Sequence, residues 1–127
     1  MKKVIGAILV KDKLILIAKR KSTDKLAGKW EFPGGKLEDG ETERECLKRE
    51  MHEEFNINVH VGDFFAENIH NYGQGIIDLR IFWATWIDGD FELNDHDDYK
   101  WVTVAQLKDY DFLPADIPIL EKLMNRE

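Results

Sequence analysis

The chain has 127 residues, 43% of them apolar and 34% charged, which is the composition of an ordinary soluble globular protein. A chain of this length is most simply one domain, residues 1–127, that buries its own core without disulfides. The net charge of −7, with no basic stripe, argues against a nucleic-acid polymer as partner, and no apolar run approaches the ~20 residues needed to span a bilayer.

The start of the chain and its single cysteine favour a cytoplasmic protein. Met1-Lys2-Lys3 leads into a short alternating strand with no small-residue cleavage site, so we predict no signal peptide. Cys46 has no second cysteine with which to form a disulfide, which suits a reducing compartment. Because no histidine is evident beside it, we interpret Cys46 as a packing residue rather than a nucleophile.

A β-hairpin is predicted near the start of the chain. Residues 4–10 (VIGAILV) and 14–18 are apolar strand candidates, and the charged residues 11–13 form the turn between them. The basic residues 19–21 are either a solvated strand end or a cationic rim that contacts phosphates or a base edge. Residues 30–32 (WEF) alternate in polarity, as in a half-buried strand.

A helix is predicted over residues 43–55. Thr42 followed by Glu45 forms a capping box at its start, and Asn56 tolerates the left-handed backbone that often ends a helix. Apolar residues recur every four positions and predict the face toward the core, namely Leu47, Met51 and Phe55. This helix therefore has one buried face and one face free for chemistry.

Three glutamates of this helix lie on one face. Glu50, Glu53 and Glu54 are three and four residues apart, so their side chains are about one turn from each other. Three like charges at this spacing repel, and a divalent cation between them would cancel the repulsion. Carboxylate oxygens are the ligands that Mg²⁺ and Mn²⁺ prefer. The pattern predicts a metal-dependent enzyme that acts on phosphates.

Strands follow the helix. Residues 59–65 predict a strand, residues 70–75 a polar loop, and residues 76–86 (IIDLRIFWATW) the longest strand of the chain. In that last strand, apolar residues alternate with Asp78, Arg80 and Phe82. The alternating apolar residues are Ile77, Leu79, Ile81 and Trp83.

The last third of the chain contains a turn at residues 89–90, an acidic loop at 94–98, a strand at 100–104 and a helix at 117–124. A mixed β-sheet with helices on its faces, an α/β fold, is the simplest arrangement of these elements. The histidines have no zinc-ligand spacing, and we predict that they lie on the surface. They are His52, His60, His70 and His96.

The helix and the turn before it resemble the signature of the Nudix hydrolases, G-x5-E-x7-R-E-U-x-E-E-x-G-U, in which U is a bulky aliphatic residue. The fixed positions that match are Gly35, Glu41, Arg49, Glu50, Glu53 and Glu54. Met51 and Ile57 match the two aliphatic positions, while Asn56 replaces the last glycine and accepts the same backbone geometry. The resemblance implies an α/β/α sandwich whose signature helix and C-terminal helix pack on a mixed sheet.

The flanking segments resemble one branch of this family. MKKVIGAILV at the start, KWEFPGGK at 29–36 and FLPADIPILEKL at 112–123 are similar to the MutT branch, the nucleoside triphosphate pyrophosphohydrolases. The last of these segments is closer to the cytidine-nucleotide pyrophosphohydrolases of that branch. The resemblance therefore covers nearly the whole chain, although the flanking segments are less specific than the signature.

The resemblance implies roles for the signature residues. Glu50, Glu53 and Glu54 hold one or more Mg²⁺ ions, for which Mn²⁺ can substitute, and the main-chain oxygen of Gly34 is a further ligand. Either Glu50 or Glu53 accepts the proton of the attacking water, a choice that stays open. Glu41 pairs with Arg49 and orients the ligands. Asp95 either assists the metal or the base, or is a solvated loop carboxylate.

Substrate contacts are predicted at four positions. Asp116 reads first as the N-cap of the last helix, before Pro118, and the resemblance also places it against the nucleobase. An ionised carboxylate only accepts hydrogen bonds, so it suits the amine of cytosine and equally the N–H donors of guanine. The other three are Lys19, Arg20 and Phe32. Trp30, Phe32 and Phe82 either stack on a base or pack in the core.

We therefore expect a cytoplasmic, Mg²⁺-dependent enzyme that hydrolyses a nucleoside triphosphate to the monophosphate and pyrophosphate. Its purpose would be sanitation of the nucleotide pool, with 8-oxo-dGTP or a cytidine nucleotide as substrate. The expected partner is a free nucleotide rather than a membrane, and the protein is a monomer or a homodimer. The alternatives are a Nudix hydrolase of another nucleoside diphosphate derivative, such as ADP-ribose, and a nucleotide-binding module without catalysis.

Overall fold

The computed structural model describes residues 1–126, in which seven strands form one mixed sheet with a helix on each face. The strands are β1 (Lys2–Lys11), β2 (Leu14–Arg20), β3 (Trp30–Glu31), β4 (Gly34–Lys36), β5 (Asn58–Asn71), β6 (Ile76–Asp88) and β7 (His96–Val102). The helices are α1 (Glu43–Phe55) and α2 (Ile117–Asn125), with 3-10 helices at Val104–Asp109 and Pro114–Asp116. The predicted α/β fold is confirmed.

Strand β1 is the centre of the sheet. One of its edges pairs in parallel with β6 along Lys2–Val10. Its other edge pairs with β2 only at Val10–Lys11, beside the hairpin turn, and with β4 at Val4–Gly6. Strands β1 and β2 therefore diverge away from the turn, and β2 continues by pairing with β3 and β7. This divergence leaves a gap in the sheet that β4 partly fills and that lies beside the last turns of α1.

The two faces of the sheet carry separate cores. Ile8 packs toward α2, with Ile119, Leu120 and Leu123, whereas Ala7 and Leu9 pack toward α1. Alternation along one strand accounts for this division, because successive side chains of a strand point to opposite faces. Within the described chain, no helix is long and apolar enough to cross a membrane.

Helix α1 has the predicted bounds and caps. Thr42 accepts a hydrogen bond from the Glu45 amide while the Glu45 side chain accepts one from the Thr42 amide, which completes the capping box. Asn56 ends the helix in the left-handed region, at φ 57° and ψ 34°. The predicted apolar stripe is fully buried, with no exposed surface at Leu47, Met51 and Phe55. Burial of such large side chains stabilises the fold by about 1.5–3 kcal/mol each and fixes the rotation of α1.

The hairpin is also as predicted, whereas several later boundaries are wrong. Strand β5 continues to Asn71 because it pairs with β6 as far as Ile76, so the predicted loop at 70–75 shortens to residues 72–75. Strand β7 begins at His96 and ends at Val102, rather than spanning 100–104, because its pairing with β2 extends the backbone through acidic residues. Cross-strand pairing overrides local polarity at both places.

Cys46 is fully buried, and burial raises the pKa of its thiol to about 12. We predict that the native protein at pH 8 reacts with a thiol-specific disulfide reagent at least about a hundredfold more slowly than the urea-unfolded chain, because the thiolate is the reactive form. Spectrophotometric measurement of the released thiolate checks this. Complete modification of the native protein at the unfolded rate would contradict the packing role.

Candidate functional site

A cleft of about 1180 Å³ lies where β1 and β2 diverge. Its walls come from the loop after β3, from β4, from the last turns of α1 and from the residues before β7. The predicted site residues that line it are Gly34, Glu50, Glu54, Asp95, Arg20, Phe32 and Asp116. The structure thus brings residues that are far apart in the sequence to one concave surface.

The three glutamates of α1 differ sharply in burial. The Glu53 side chain is 54% exposed, that of Glu50 is 15% exposed, and Glu54 is buried. Glu54 Oε1 is buried without a hydrogen-bond partner among the described residues. Burial, followed by the nearby charges of Glu50, Glu31 and Asp95, raises the pKa of Glu54 to about 10. Burial also raises the pKa of Glu50.

Arg49 joins the signature carboxylates into one network. Its Nε and Nη2 donate to the two oxygens of Glu41 at 3.0 and 2.8 Å, and its Nη1 donates to Glu50 at 2.9 Å and Glu53 at 3.1 Å. The hydrogen bond from Arg49 lowers the pKa of Glu41 to about 2. The expected contact between Glu41 and Arg49 is present.

One part of the sequence interpretation needs correction. We expected the repulsion within the cluster to await a cation, but Arg49 already offsets it at Glu50 and Glu53. The carboxyl that no cationic side chain of the described residues compensates is that of Glu54. A guanidinium donates in a flat fork, so Arg49 can bridge three carboxylates that a lysine could not.

Two glycines bring β4 against α1. A Cβ atom on Gly35 would overlap the Glu50 carboxylate, and one on Gly34 would overlap the main chain of Ile5. No larger residue fits at either position without movement of the carboxylate or of β1. The pair therefore allows the main chain to run directly beside the acidic end of the cleft.

The donor set fits a hard divalent cation. Glu54 and Glu50 lie side by side at the cleft, and Asp95 is within hydrogen-bonding reach of Glu54, so the donors are oxygens only. A cation would give Glu54 Oε1 the partner that it lacks and would favour its charged form. In the described side-chain conformations of residues 1–126, no three acidic, histidine or cysteine side chains converge to metal-binding distance. Glu53 in particular points toward Arg49 and solvent.

Asp95 is exposed, and its carboxylate lies 3.5 Å from Lys21 Nζ as well as beside Glu54.

His96 was predicted to be on the surface, which is wrong: the residue is 7% exposed. Its Nε2 lies 2.8 Å from Glu31 Oε2, and its ring stacks on Phe55. The pairing of β7 with β2 is irregular just after His96, and this shift interrupts the alternation of side chains along β7. His96 therefore faces α1 while Val102 lies in the core on the other face of the sheet, so alternation in the sequence provided no signal for the burial of His96.

Asp116 lies at the other side of the cleft. It occupies the N-cap position of α2 but makes no capping bond, so the capping interpretation is wrong. Its Oδ2 instead accepts a hydrogen bond of 2.9 Å from the Phe32 amide. Burial raises the pKa of Asp116 well above its ordinary value. Burial thus favours the neutral form of the carboxyl, which both donates and accepts.

Of the other residues predicted to contact the substrate, some line the cleft and others are packed in the core or lie outside the cleft. Arg20 faces the cleft and donates to Glu31 at 3.2 Å. Lys19 pairs with Trp30 and Asp98 across neighbouring strands and is not among the residues that line the cleft in the described chain. Trp30 is buried against Tyr110, and Phe82 lies in the core under α1, so both pack rather than face the cleft. Glu31 also lines the cleft, near both Glu54 and Asp116. It was not identified as a site residue from the sequence.

The buried Glu54 predicts how stability depends on pH without metal. The neutral carboxyl is favoured in the folded state, so the stability that it contributes is complete below pH 4.5 and is lost as pH rises toward about 10. Asp116 acts in the same direction. We predict that urea unfolding in the presence of a chelator shows falling stability between about pH 5 and 9, and that Glu54→Gln flattens this fall. An unchanged slope in Glu54→Gln would contradict the assignment, and Glu53→Gln is the exposed control.

The contact between Gly35 and Glu50 can be tested in the same protein. Gly35→Ala should displace the Glu50 carboxylate and weaken Mn²⁺ binding by about tenfold, the effect of one misplaced ligand. Gly62→Ala is the control, because its Cβ would meet only ordinary contacts of 3.4 Å or more. Isothermal titration with Mn²⁺ measures both. Equal affinities of the two variants would show that the close approach has no role.

Comparison with known proteins agrees with this architecture. The family model described as NUDIX domain matches residues 4–122. The chain is 36% identical to the CTP pyrophosphohydrolase of Escherichia coli over 98% of its own length and 92% of that protein. It is 39% identical to the putative 8-oxo-dGTP diphosphatase 2 of Mycobacterium tuberculosis, over 89% and 81%. The solution structure of the E. coli ORF135 protein superposes with a TM-score of 0.84 at 36% identity, covering 98% of this chain and 89% of that one. The chain belongs to the NUDIX domain family.

Proposed function

We propose that this protein hydrolyses a nucleoside triphosphate to the monophosphate and pyrophosphate with the help of Mg²⁺. The observation that carries the proposal is the buried carboxyl of Glu54, whose Oε1 has no hydrogen-bond partner among the described residues, beside Glu50 and Asp95 in an open cleft. The family relatives named CTP pyrophosphohydrolase and 8-oxo-dGTP diphosphatase support the reaction type. Sanitation of the cytoplasmic nucleotide pool is the corresponding role.

Glu50, Glu53, Glu54 and the main-chain oxygen of Gly34 would hold the metal, with Asp95 beside them. When bound, the cation offsets charge on the phosphates and lowers the pKa of a bound water. Glu54 requires only loss of its proton to become a ligand. Glu53 requires rotation away from Arg49, and its exposure leaves room for that movement.

The protein's own residues position the reactants and accept the proton. Glu50 or Glu53 takes the proton of the attacking water, and both carboxylates lie within reach of the same guanidinium. Arg49 is fixed by its two bonds to Glu41, so it sets the orientation of both candidates. Phosphoryl transfer of this kind depends on positioning and charge rather than on a covalent intermediate.

Recognition of the base is assigned to the side of the cleft formed by Asp116, Phe32 and Arg20. A neutral Asp116 offers one donor and one acceptor, a wider set than the acceptor-only carboxylate. It therefore suits the amine and ring nitrogen of cytosine as well as the edge of an oxidised guanine. Lys19 is a weaker candidate because it lies outside the cleft lining. The proposed partner is a free nucleotide, bound by a monomer or homodimer.

A panel assay tests the proposal directly. Normal, oxidised and methylated nucleoside triphosphates are incubated with the protein, with and without Mg²⁺, and pyrophosphate and orthophosphate are measured separately. We predict Mg²⁺-dependent release of pyrophosphate, and a loss of at least about a hundredfold in kcat for Glu53→Gln. Glu121→Gln, on the exposed face of α2, removes the same charge and should leave kcat unchanged. Orthophosphate release alone, or full activity of Glu53→Gln, would refute the proposed reaction or the proposed role.

A further inference from the structure

The segment before β7 is fastened to the last turn of α1. The final carbonyls of a helix have no partner within the helix. Here the Glu92 amide donates to Phe55 O at 2.9 Å, and the Asn94 amide donates to Glu54 O at 3.0 Å. The Asn94 side chain adds a bond of 3.1 Å from Nδ2 to Glu53 O. Asn94 therefore caps the main-chain carbonyls of two of the signature glutamates.

His96 fastens the same segment from the other side. Its ring lies parallel to that of Phe55, with 5.5 Å between centroids and 9° between planes. Its Nε2 meets Glu31 at 2.8 Å, and the residue is almost wholly buried. The anchor is thus part aromatic packing against the end of α1 and part hydrogen bond to the wall of the cleft.

Asp95 stands between these two anchors. Its own side chain is 60% exposed, and its carboxylate lies 3.5 Å from Lys21 Nζ, so neither burial nor this surface ion pair fixes it beside Glu54. The main chain on either side is held to α1 by Asn94 and His96. The consequence is that an exposed carboxylate faces the cleft beside a buried one, Glu54.

We propose that Asn94 and His96 are positioning residues that hold Asp95 beside Glu54 and so complete the oxygen-ligand set for the divalent cation. This inference rests on the proposed function, because it assumes that the divalent cation binds at Glu50, Glu54 and Asp95. It assigns to the segment before β7 a role that depends on its attachment to α1. In this inference the buried His96 positions the main chain and takes no part in the reaction itself.

A double-mutant cycle tests whether Asn94 acts through Asp95. The variants are Asn94→Ala, Asp95→Asn and the two combined, and the readout is the Kd for Mn²⁺ measured by electron paramagnetic resonance without nucleotide. Asn94→Ala should raise the Kd about three- to tenfold, the net effect of one hydrogen bond. Asp95→Asn should raise it at least as much, and the double variant should be no weaker than Asp95→Asn alone.

Asn58→Ala is the matched control. The Asn58 side chain donates to Asp88 at the far end of the β5–β6 pair, so it makes an inter-strand bond without touching the glutamates. Its Kd for Mn²⁺ should equal that of the unaltered protein. His96→Ala should repeat the behaviour of Asn94→Ala, with circular dichroism as the check on folding; if that variant does not fold, the Asn94 cycle decides.

Three results would overturn the inference. The first is an unchanged Kd in Asn94→Ala, and the second is an unchanged Kd in Asp95→Asn. The third, when both single variants raise the Kd, is a fold-change in the double variant equal to the product of the two single fold-changes, which would mean that Asn94 acts independently of Asp95. If any of these occurs while Glu53→Gln still abolishes pyrophosphate release, the inference fails and the proposed function stands. If the unaltered protein neither binds Mn²⁺ nor releases pyrophosphate, both fail.

Discussion

The burial of a carboxyl group at the end of α1 is the constraint on which the rest of this structure depends. Leu47, Met51 and Phe55 are fully buried, which fixes how α1 is rotated against the sheet. With that rotation set, Glu54 points inward, Glu50 lies at the edge of the cleft and Glu53 faces solvent. A buried carboxyl with an unpaired oxygen costs stability when it is charged, and the divalent cation proposed above would offset that cost.

The remainder of the fold gives this carboxyl a cleft and neighbours. Strands β1 and β2 pair only beside their turn, and β4 fills part of the opened edge with two glycines that allow close approach to Glu50. Arg49 neutralises the more exposed acids and leaves Glu54 uncompensated. The segment before β7 closes the corner by attachment to α1. Of the three glutamates of α1, Glu54 is thus the one whose charge no arginine of the described residues offsets.

Elements that are determined by residues close together in the sequence could be predicted from the sequence. The caps of α1, its apolar stripe and the first hairpin are set by residues a few positions apart, and each was predicted with its bounds or nearly so. The family resemblance, carried by fixed spacings within α1 and the turn before it, predicted the fold. Neither source depends on knowing which strands pair.

Features set by long-range pairing were not predictable in the same way. His96 lies in a run of acids and looks like a loop residue, yet pairing of β7 with β2 and stacking on Phe55 bury it. Asp116 looks like a helix cap, yet its carboxyl bonds the amide of Phe32, 84 positions away. The bond between Arg49 and Glu53 is different, because it is an i,i+4 pair within α1 that the spacing in the sequence allows. What the sequence did not show is that the same guanidinium, bound to Glu41, also binds Glu50.

The central claim is that Glu54 and its neighbours form a divalent cation site. Crystals grown at neutral pH and soaked in Mn²⁺ allow the anomalous scattering of manganese to locate the ion directly. The account predicts a peak bonded to carboxylate oxygens of Glu50 and Glu54, with Glu53 rotated from Arg49. Diffraction that shows no manganese at this corner, with Glu54 still buried and unpartnered, would contradict it.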